Sequence, residues 1–379
     1  MIPYGRQDIS QTDIDAVIEV LRSDWITQGP TIPRFEQLVA NYCGSQYAVA
    51  VCNATAALHL ACRAVGLGTG DRLWTSPNTF VASANCGLYC DAEVDFVDID
   101  PKTYNISIDA LRAKLEQAEK LGKLPKVLIP VHFAGQSGEM AAIAELAKQY
   151  GFYVIEDAAH AIGGEYKGQK IGSCSYSDMT VFSFHPVKII TTGEGGMVLT
   201  NNQALFEKVS ILRTHGITRE PDKMSEPSQG AWYYQQIALG YNYRMTDIQA
   251  ALGISQLQRL DRFVTHRQKL AQAYNELLQD LPLQLPWQHP DSYSAWHLYV
   301  IRLDKRRQVF DRLRQAGIGV NVHYIPVHTQ PYYRHKGFKL GDFPEAEKYY
   351  SEAISLPIYP LLTELQQQQI ITDLKKALL

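Results

Sequence analysis

Apolar positions along this chain follow two periods. Short β-branched and aromatic runs at residues 47–52, 72–76, 93–97, 126–131 and 152–155 have the composition of buried strands. Between them the apolar residues take helical spacing, from Asn53 to about Val65, and over 81–89, 108–117 and 139–150. An amphipathic helix over 11–23 comes before this series. A strand through Val181, Phe182 and Phe184, a strand over 197–200 and a helix over 203–212 extend it. Strands alternating with crossover helices predict a mostly parallel sheet covered on both faces. Ligands in such sheets collect at the carboxyl ends of the strands.

The pattern changes near residue 252. Thr246 or Asp247 is placed to start a helix whose small residues Ala250, Ala251 and Gly253 allow close packing. A long helix is expected from about Leu252 to Leu278, with Leu257, Leu260, Phe263, Leu270 and Tyr274 on its apolar side. We take this helix as the joint between a large domain, 1–252, and a smaller α/β domain, 253–379. The smaller domain should contain a strand at 297–303, a helix at 307–315, a strand at 320–324 and a terminal helix. The polar stretch 218–230 reads as an exposed loop of the kind that serves as a lid.

Composition narrows the function. The 379 residues are 46% hydrophobic, enough for a large core or two domains. A net charge of −3 gives no electrostatic reason to expect nucleic acid or an anionic membrane as partner. The six cysteines form no C-x-x-C pair; Cys86 and Cys90 lie one helical turn apart with no second ligand pair. They read as buried, reduced thiols rather than metal ligands. The first residues do not resemble a signal peptide and no long apolar run follows, so a cytoplasmic, soluble protein is expected.

Candidate chemistry concentrates at 156–196. Asp157 follows an apolar strand, and Lys188 lies between an aromatic strand and the glycine-rich turn 193–196. Alone, Lys188 would read as one more surface charge. With Asp157, His160 and Ser183 beside it, the set suits pyridoxal phosphate: a lysine for the aldehyde and an acid for the ring nitrogen. Asn53 or Thr55 could simply cap a helix. With Lys188 downstream, the small residues there favour phosphate held at Ala54 and Thr55. Phe80 is either core or a stacking surface for a flat ring, and His160 either structural or a cofactor contact. Ser183 is a natural phosphate donor and His185 a pocket-shaping residue. His132, Glu194 and His328 have no assigned role. His323 and His328 lack the companions of a metal site. No G-x-G-x-x-G follows the first strand, which argues against a dinucleotide oxidoreductase.

Four motifs occur in order: N-A-T-A-A-L-H at 53–59, E-D-A-A-H-A-I-G-G at 156–164, F-S-F-H-P-V-K-I-I-T-T-G-E-G-G at 182–196 and V-H-Y-I-P-V-H at 322–328. On these the chain, from about Tyr4 to its end, resembles the DegT/StrS-type sugar aminotransferases. These are pyridoxal 5'-phosphate enzymes of fold type I, the aspartate-aminotransferase-like fold. Within the family it looks most like the PseC branch. That branch aminates the 4-keto carbon of a UDP-linked 4-keto-6-deoxy-N-acetyl-hexose on the route to pseudaminic acid, and the resemblance implies L-glutamate as donor. It also implies that Lys188 is catalytic, that Asp157 pairs with the ring nitrogen and that Phe80 stacks on the ring. Tyr4, Trp25, Thr27 and Gln28 would line the nucleotide-sugar pocket, with His323 and Tyr324 contacting substrate. Asn242 would reach a neighbouring subunit's phosphate in a homodimer with shared sites. The rivals are an aminotransferase for another keto nucleotide-sugar (dTDP or GDP, position 3 or 4), a sugar dehydratase, and a silent regulator keeping the fold. The dehydratases replace the lysine with histidine, so Lys188 argues against that rival.

Overall fold

Six helix starts in this chain are written in side chains that accept hydrogen bonds from free backbone amides. The computed structural model describes all 379 residues. Ser10 and Asp13 form a capping box for α1 (Gln11–Arg22). Asn53 caps α3 (Ala54–Ala64), Ser107 caps α5 (Ile108–Leu121), and Thr246 with Gln249 boxes α8 (Asp247–Leu257). The remaining helices up to that point are α2 (Thr31–Cys43), α4 (Ala82–Leu88), α6 (Met140–Tyr150) and α7 (Gln203–Arg213).

The strands they connect are β1 (Tyr47–Val51), β2 (Arg72–Thr75), β3 (Glu93–Phe96), β4 (Val127–Ile129), β5 (Tyr153–Asp157), the hairpin β6 (Glu165–Tyr166) and β7 (Gln169–Lys170), β8 (Met179–Ser183) and β9 (Gly196–Thr200). Seven of them make one sheet in the order β1-β9-β8-β5-β4-β2-β3. The pairings from β8 to β3 are parallel; β9 is antiparallel to both β1 and β8. Alternating side chains send Ala48, Ala50, Phe182, Met197 and Leu199 into a core with α2, α8 and α9 (Leu260–Leu278). Val49, Val51, Val181 and Val198 face the other way, onto α3 and α7. The mostly parallel sheet with helices on both faces is thus present, and it is the large sheet of fold type I.

A second core forms around β13 (Tyr299–Arg302) and its antiparallel partner β14 (Ala353–Leu356), with α10 (Arg306–Gln315) and α13 (Glu364–Leu378). It also takes in Ile2, whose backbone pairs with Gly317 and Gly319. Shorter elements complete the chain: β10 (Ile217–Thr218) with β11 (Gln235–Gln236), β12 (Ser292–Tyr293), α11 (Pro331–Arg334) and α12 (Pro344–Glu352). No helix is long and apolar enough to cross a membrane.

Three local expectations change. The long helix predicted over 252–278 is two helices, broken at Gln258–Arg259. The break carries no Gly or Pro; it is set by tertiary bonds from Gln256 and Arg259 to Asp13 and to the carbonyl of Asp8. The predicted strand at 320–324 reduces to one bridge, Asn321 with Ser355, because its side chains turn toward a cavity. Helix α2 was not anticipated, although Ile32, Phe35, Val39 and Cys43 make a buried helical stripe.

Candidate active site

The carboxyl ends of β2, β5 and β8 and the start of α3 open onto one cavity of about 890 Å³. Eleven of the fifteen residues given a cofactor or substrate role from the sequence line it: Tyr4, Ala54, Thr55, Phe80, Asp157, His160, Ser183, His185, Lys188, His323 and Tyr324. The remaining four do not reach it within one chain. Trp25 is 56% exposed. Thr27 bridges to Thr246, and Gln28 borders a separate hollow of about 320 Å³ beside Arg213 and Arg244. This segment is anchored instead at α8, where Asp247 accepts from the amides of Gly29 and Thr31. Asn242 is exposed and bridges to Thr214.

Asp157 ends β5 almost fully buried. Its Oδ2 accepts from Ser83 Oγ at 2.6 Å and its Oδ1 from the Ala159 amide at 3.1 Å. Ser83 is itself held by Thr79 at 2.7 Å. The acid is therefore oriented from α4 and from its own turn. Burial pulls the Lys188 ammonium down to about 8, opposed in part by the nearby Asp157 charge. A lysine so placed offers free amine near neutral pH, as a nucleophile toward an aldehyde must.

At the other end, Asn53 Oδ1 takes the Ala56 amide at 2.9 Å. The earlier amides of α3, at Ala54 and Thr55, stay directed at the cavity with the positive end of the helix. The backbone approach is tight: a Cβ on Gly196 would fall 2.5 Å from the Asn53 carbonyl carbon and 2.6 Å from the Ala54 nitrogen. With the Ser183 hydroxyl alongside, the arrangement has the donors a phosphate would need. Phe80 is 58% exposed on the cavity wall, so it is not a core residue.

His160 donates to or accepts from Tyr324 Oη at 3.0 Å, and its buried Nδ1 has no partner. The His297 ring packs 4.4 Å from it. Burial, reinforced by neighbouring cations, keeps both imidazoles neutral well below their ordinary range. His323 is likewise pushed down to about 3, by burial and then by Lys188. Its Nδ1 meets Ser355 Oγ at 2.8 Å, and Asn321 lies 3.3 Å from Nε2. His59, Tyr89, Tyr243, His297 and Asn321 also line the cavity. Sequence reading passed over them because each sits mid-helix, or outside the loops that follow strands. His328 does find a carboxylate, Glu347 at 2.9 Å, nineteen residues on; its place among Phe96 and Phe343 is a packing one.

The residues present fit pyridoxal phosphate: a depressed lysine, a buried acid, a free helix N-terminus and an unpartnered imidazole nitrogen share one cavity. Comparisons with known proteins agree. The profile of the DegT/DnrJ/EryC1/StrS aminotransferase family matches residues 7–375. The spore coat polysaccharide biosynthesis protein SpsC of Bacillus subtilis is 40% identical over 379 residues, covering 98% of this chain and 95% of SpsC. Among solved structures, the PMP form of Spr1654 of Streptococcus pneumoniae superposes with a TM-score of 0.91 at 30% identity, covering 100% of this chain and 99% of that one. PseC of Helicobacter pylori, an aminotransferase of pseudaminic acid biosynthesis, superposes with a TM-score of 0.90 at 30% identity over 99% and 98%.

Proposed function

Because the chain belongs to the DegT/DnrJ/EryC1/StrS aminotransferase family, whose members are pyridoxal-phosphate-dependent sugar aminotransferases, we propose that it moves an amino group from L-glutamate to the 4-keto carbon of a UDP-linked 4-keto-6-deoxy-N-acetyl-hexose. The observation that carries this reading is the convergence of Lys188, Asp157 and the open start of α3 on one cavity of about 890 Å³. That volume exceeds what glutamate needs and suits a larger second substrate. The likeness to PseC supports the choice of sugar.

When bound, pyridoxal phosphate supplies an aldehyde that accepts the amino group and a ring that withdraws electrons from the carbon losing its proton. The chain's own residues do the rest. The Ala54 and Thr55 amides and Ser183 Oγ hold the phosphate. Asp157, fixed by Ser83, keeps a proton on the ring nitrogen. Lys188 Nζ, free to lose its charge near pH 8, takes a proton from the donor carbon and returns it elsewhere as general base and acid. Tyr4, His323 and Tyr324 close the sugar side.

The cavity lining contains one cation, Lys188, against two carboxylates, Asp157 and Glu194. Glutamate and a nucleoside diphosphate are both anions, so their counter-charges must come from elsewhere. This supports a homodimer in which a second copy completes each site, with Asn242 contributed across the interface. Trp25, Ile26, Trp232 and Leu239, all at least half exposed, offer the apolar surface such a dimer would cover. The cytoplasm is the compartment that suits an enzyme with six free cysteines.

The test is an assay with glutamate and a panel of keto nucleotide-sugars, reading 2-oxoglutarate release and product stereochemistry. Selective amination of the UDP-4-keto-6-deoxy-N-acetyl sugar is expected. Preference for a dTDP or GDP sugar, or for the 3-keto position, would replace the substrate while leaving the enzyme class intact.

A further inference from the structure

We propose that Glu156 is a second carboxylate serving the cofactor's ring nitrogen, acting by charge from the opposite face of the sheet, with a neutral His132 as its holder. This rests on reading Asp157 as the residue that touches that nitrogen.

Glu156 precedes Asp157 on β5, and strand alternation puts the two side chains on opposite faces. Glu156 is 5% exposed. Its carboxylate nonetheless has a full set of donors: Ser177 Oγ and Thr180 Oγ1 at Oε1, 2.5 and 3.0 Å away, and His132 Nε2 at Oε2, 2.5 Å away. Three donors converging on one buried carboxylate favour its charged form.

The state of His132 follows from geometry. The Gly138 amide donates to its Nδ1 at 3.2 Å. Nδ1 therefore carries no proton, Nε2 does, and the ring is neutral. The pair thus keeps a net negative charge. The other groups facing Glu156 do not cancel it. The Cys174 thiol is buried and held protonated, its pKa pushed up by burial and by Glu156 itself. Across a hollow of about 10 Å³ lie Tyr166, Tyr176 and Lys170, and the lysine is paired with Glu165 at 2.9 Å. On the far face Asp157 has Lys188, His160 and Tyr324 for neighbours. The same device positions Asp157: the His132 amide donates to the Asp157 carbonyl at 3.0 Å, and the Asp157 amide to Pro130 at 2.9 Å. An unneutralised anion so close behind the Asp157 backbone raises the negative potential where a protonated ring nitrogen must be stabilised.

The experiment uses holoenzyme loaded with ring-15N pyridoxal phosphate, following the ring-nitrogen resonance against pH, with cofactor dissociation constants measured in parallel. Glu156→Gln, which keeps the shape and loses the charge, should lower the ring-nitrogen midpoint by about half to one pH unit, the scale of losing one partly screened charge. His132→Gln, which leaves the charge in place, should not shift it. Glu156→Gln/His132→Gln pairs two amides and gives the same reading if the single variant does not fold. A midpoint unmoved by loss of the Glu156 charge, while Asp157→Asn lowers it strongly, overturns the proposal alone. A midpoint that Asp157→Asn also leaves unmoved overturns the reading of Asp157 and the proposal with it.

Discussion

At the scale of single residues, the site works by setting protonation through burial. Lys188 titrates near 8 because its charged form loses water and recovers only part of that loss from Asp157. The sign for stability follows. Its folded-state pKa lies below the unfolded value of 10.5, so between about 8 and 10.5 the unfolded chain holds the extra proton. This contribution to stability therefore rises with pH across that window. The cofactor-free protein should gain thermal stability between pH 8 and 10 relative to Lys188→Met, whose profile should lack that rise. Lys188→Ala should lose turnover by about 10²- to 10⁴-fold or more; near-wild-type amination by that variant would remove it from the mechanism. Ser83→Ala strips a buried donor from Asp157 and should cost about 1.5–3 kcal/mol in urea unfolding, with weaker cofactor retention. Asp157, His160 and Lys188 could be placed at the cavity from sequence because each comes just after a strand run. Ser83 and His297 could not, because only the tertiary fold brings them to Asp157 and His160.

At the scale of elements, the start of α3 is the sharpest construction. Asn53 was readable as its cap, and the cap leaves the next amides free. Gly196 at the start of β9 makes room for it. Gly196→Ala would press a methyl group into the Asn53–Ala54 backbone. A loss of about 1–3 kcal/mol from overpacking is expected, with the cofactor dissociation constant raised at least tenfold in equilibrium dialysis. Wild-type affinity would mean that α3 does not hold the phosphate. The alternating series up to residue 155 was read correctly, since buried parallel strands declare themselves as apolar runs. The break between α8 and α9 was not, because the apolar period continues through it and the cause lies in Asp8 and Asp13, far away in sequence.

At the scale of the whole molecule, the question is whether one chain makes a complete site. Light scattering should give about twice the chain mass of 42.6 kDa. Mixing Lys188→Ala with Asn242→Ala under limiting cofactor should restore activity that neither has alone. A mixed dimer would carry one site with both wild-type residues; if all contacts came from one chain, mixing would restore nothing. The resemblance read from four motifs extends, by family match, over residues 7–375, but the sugar depends on cavity shape, which no motif spells out.

Arg267 lies on α9 between Val264 of the first core and Leu270 of the second. Its guanidinium is 1% exposed, and Nη1 donates to the carbonyls of Trp296, His297 and Ile358 at 3.1, 3.2 and 2.9 Å. Acid unfolding works largely by protonating carboxylates that are paired in the native state, and this knot contains none. As pH falls, the pairs Arg259–Asp13 and Arg302–Glu352 can be neutralised, whereas peptide oxygens do not titrate. The acid-sensitive group at this seam is His297 instead: burial holds its imidazole neutral, well below the ordinary value of 6.5, so below that pH the unfolded chain takes up a proton the folded one does not and stability falls, visible as amides near residue 297 that exchange faster as the pH drops.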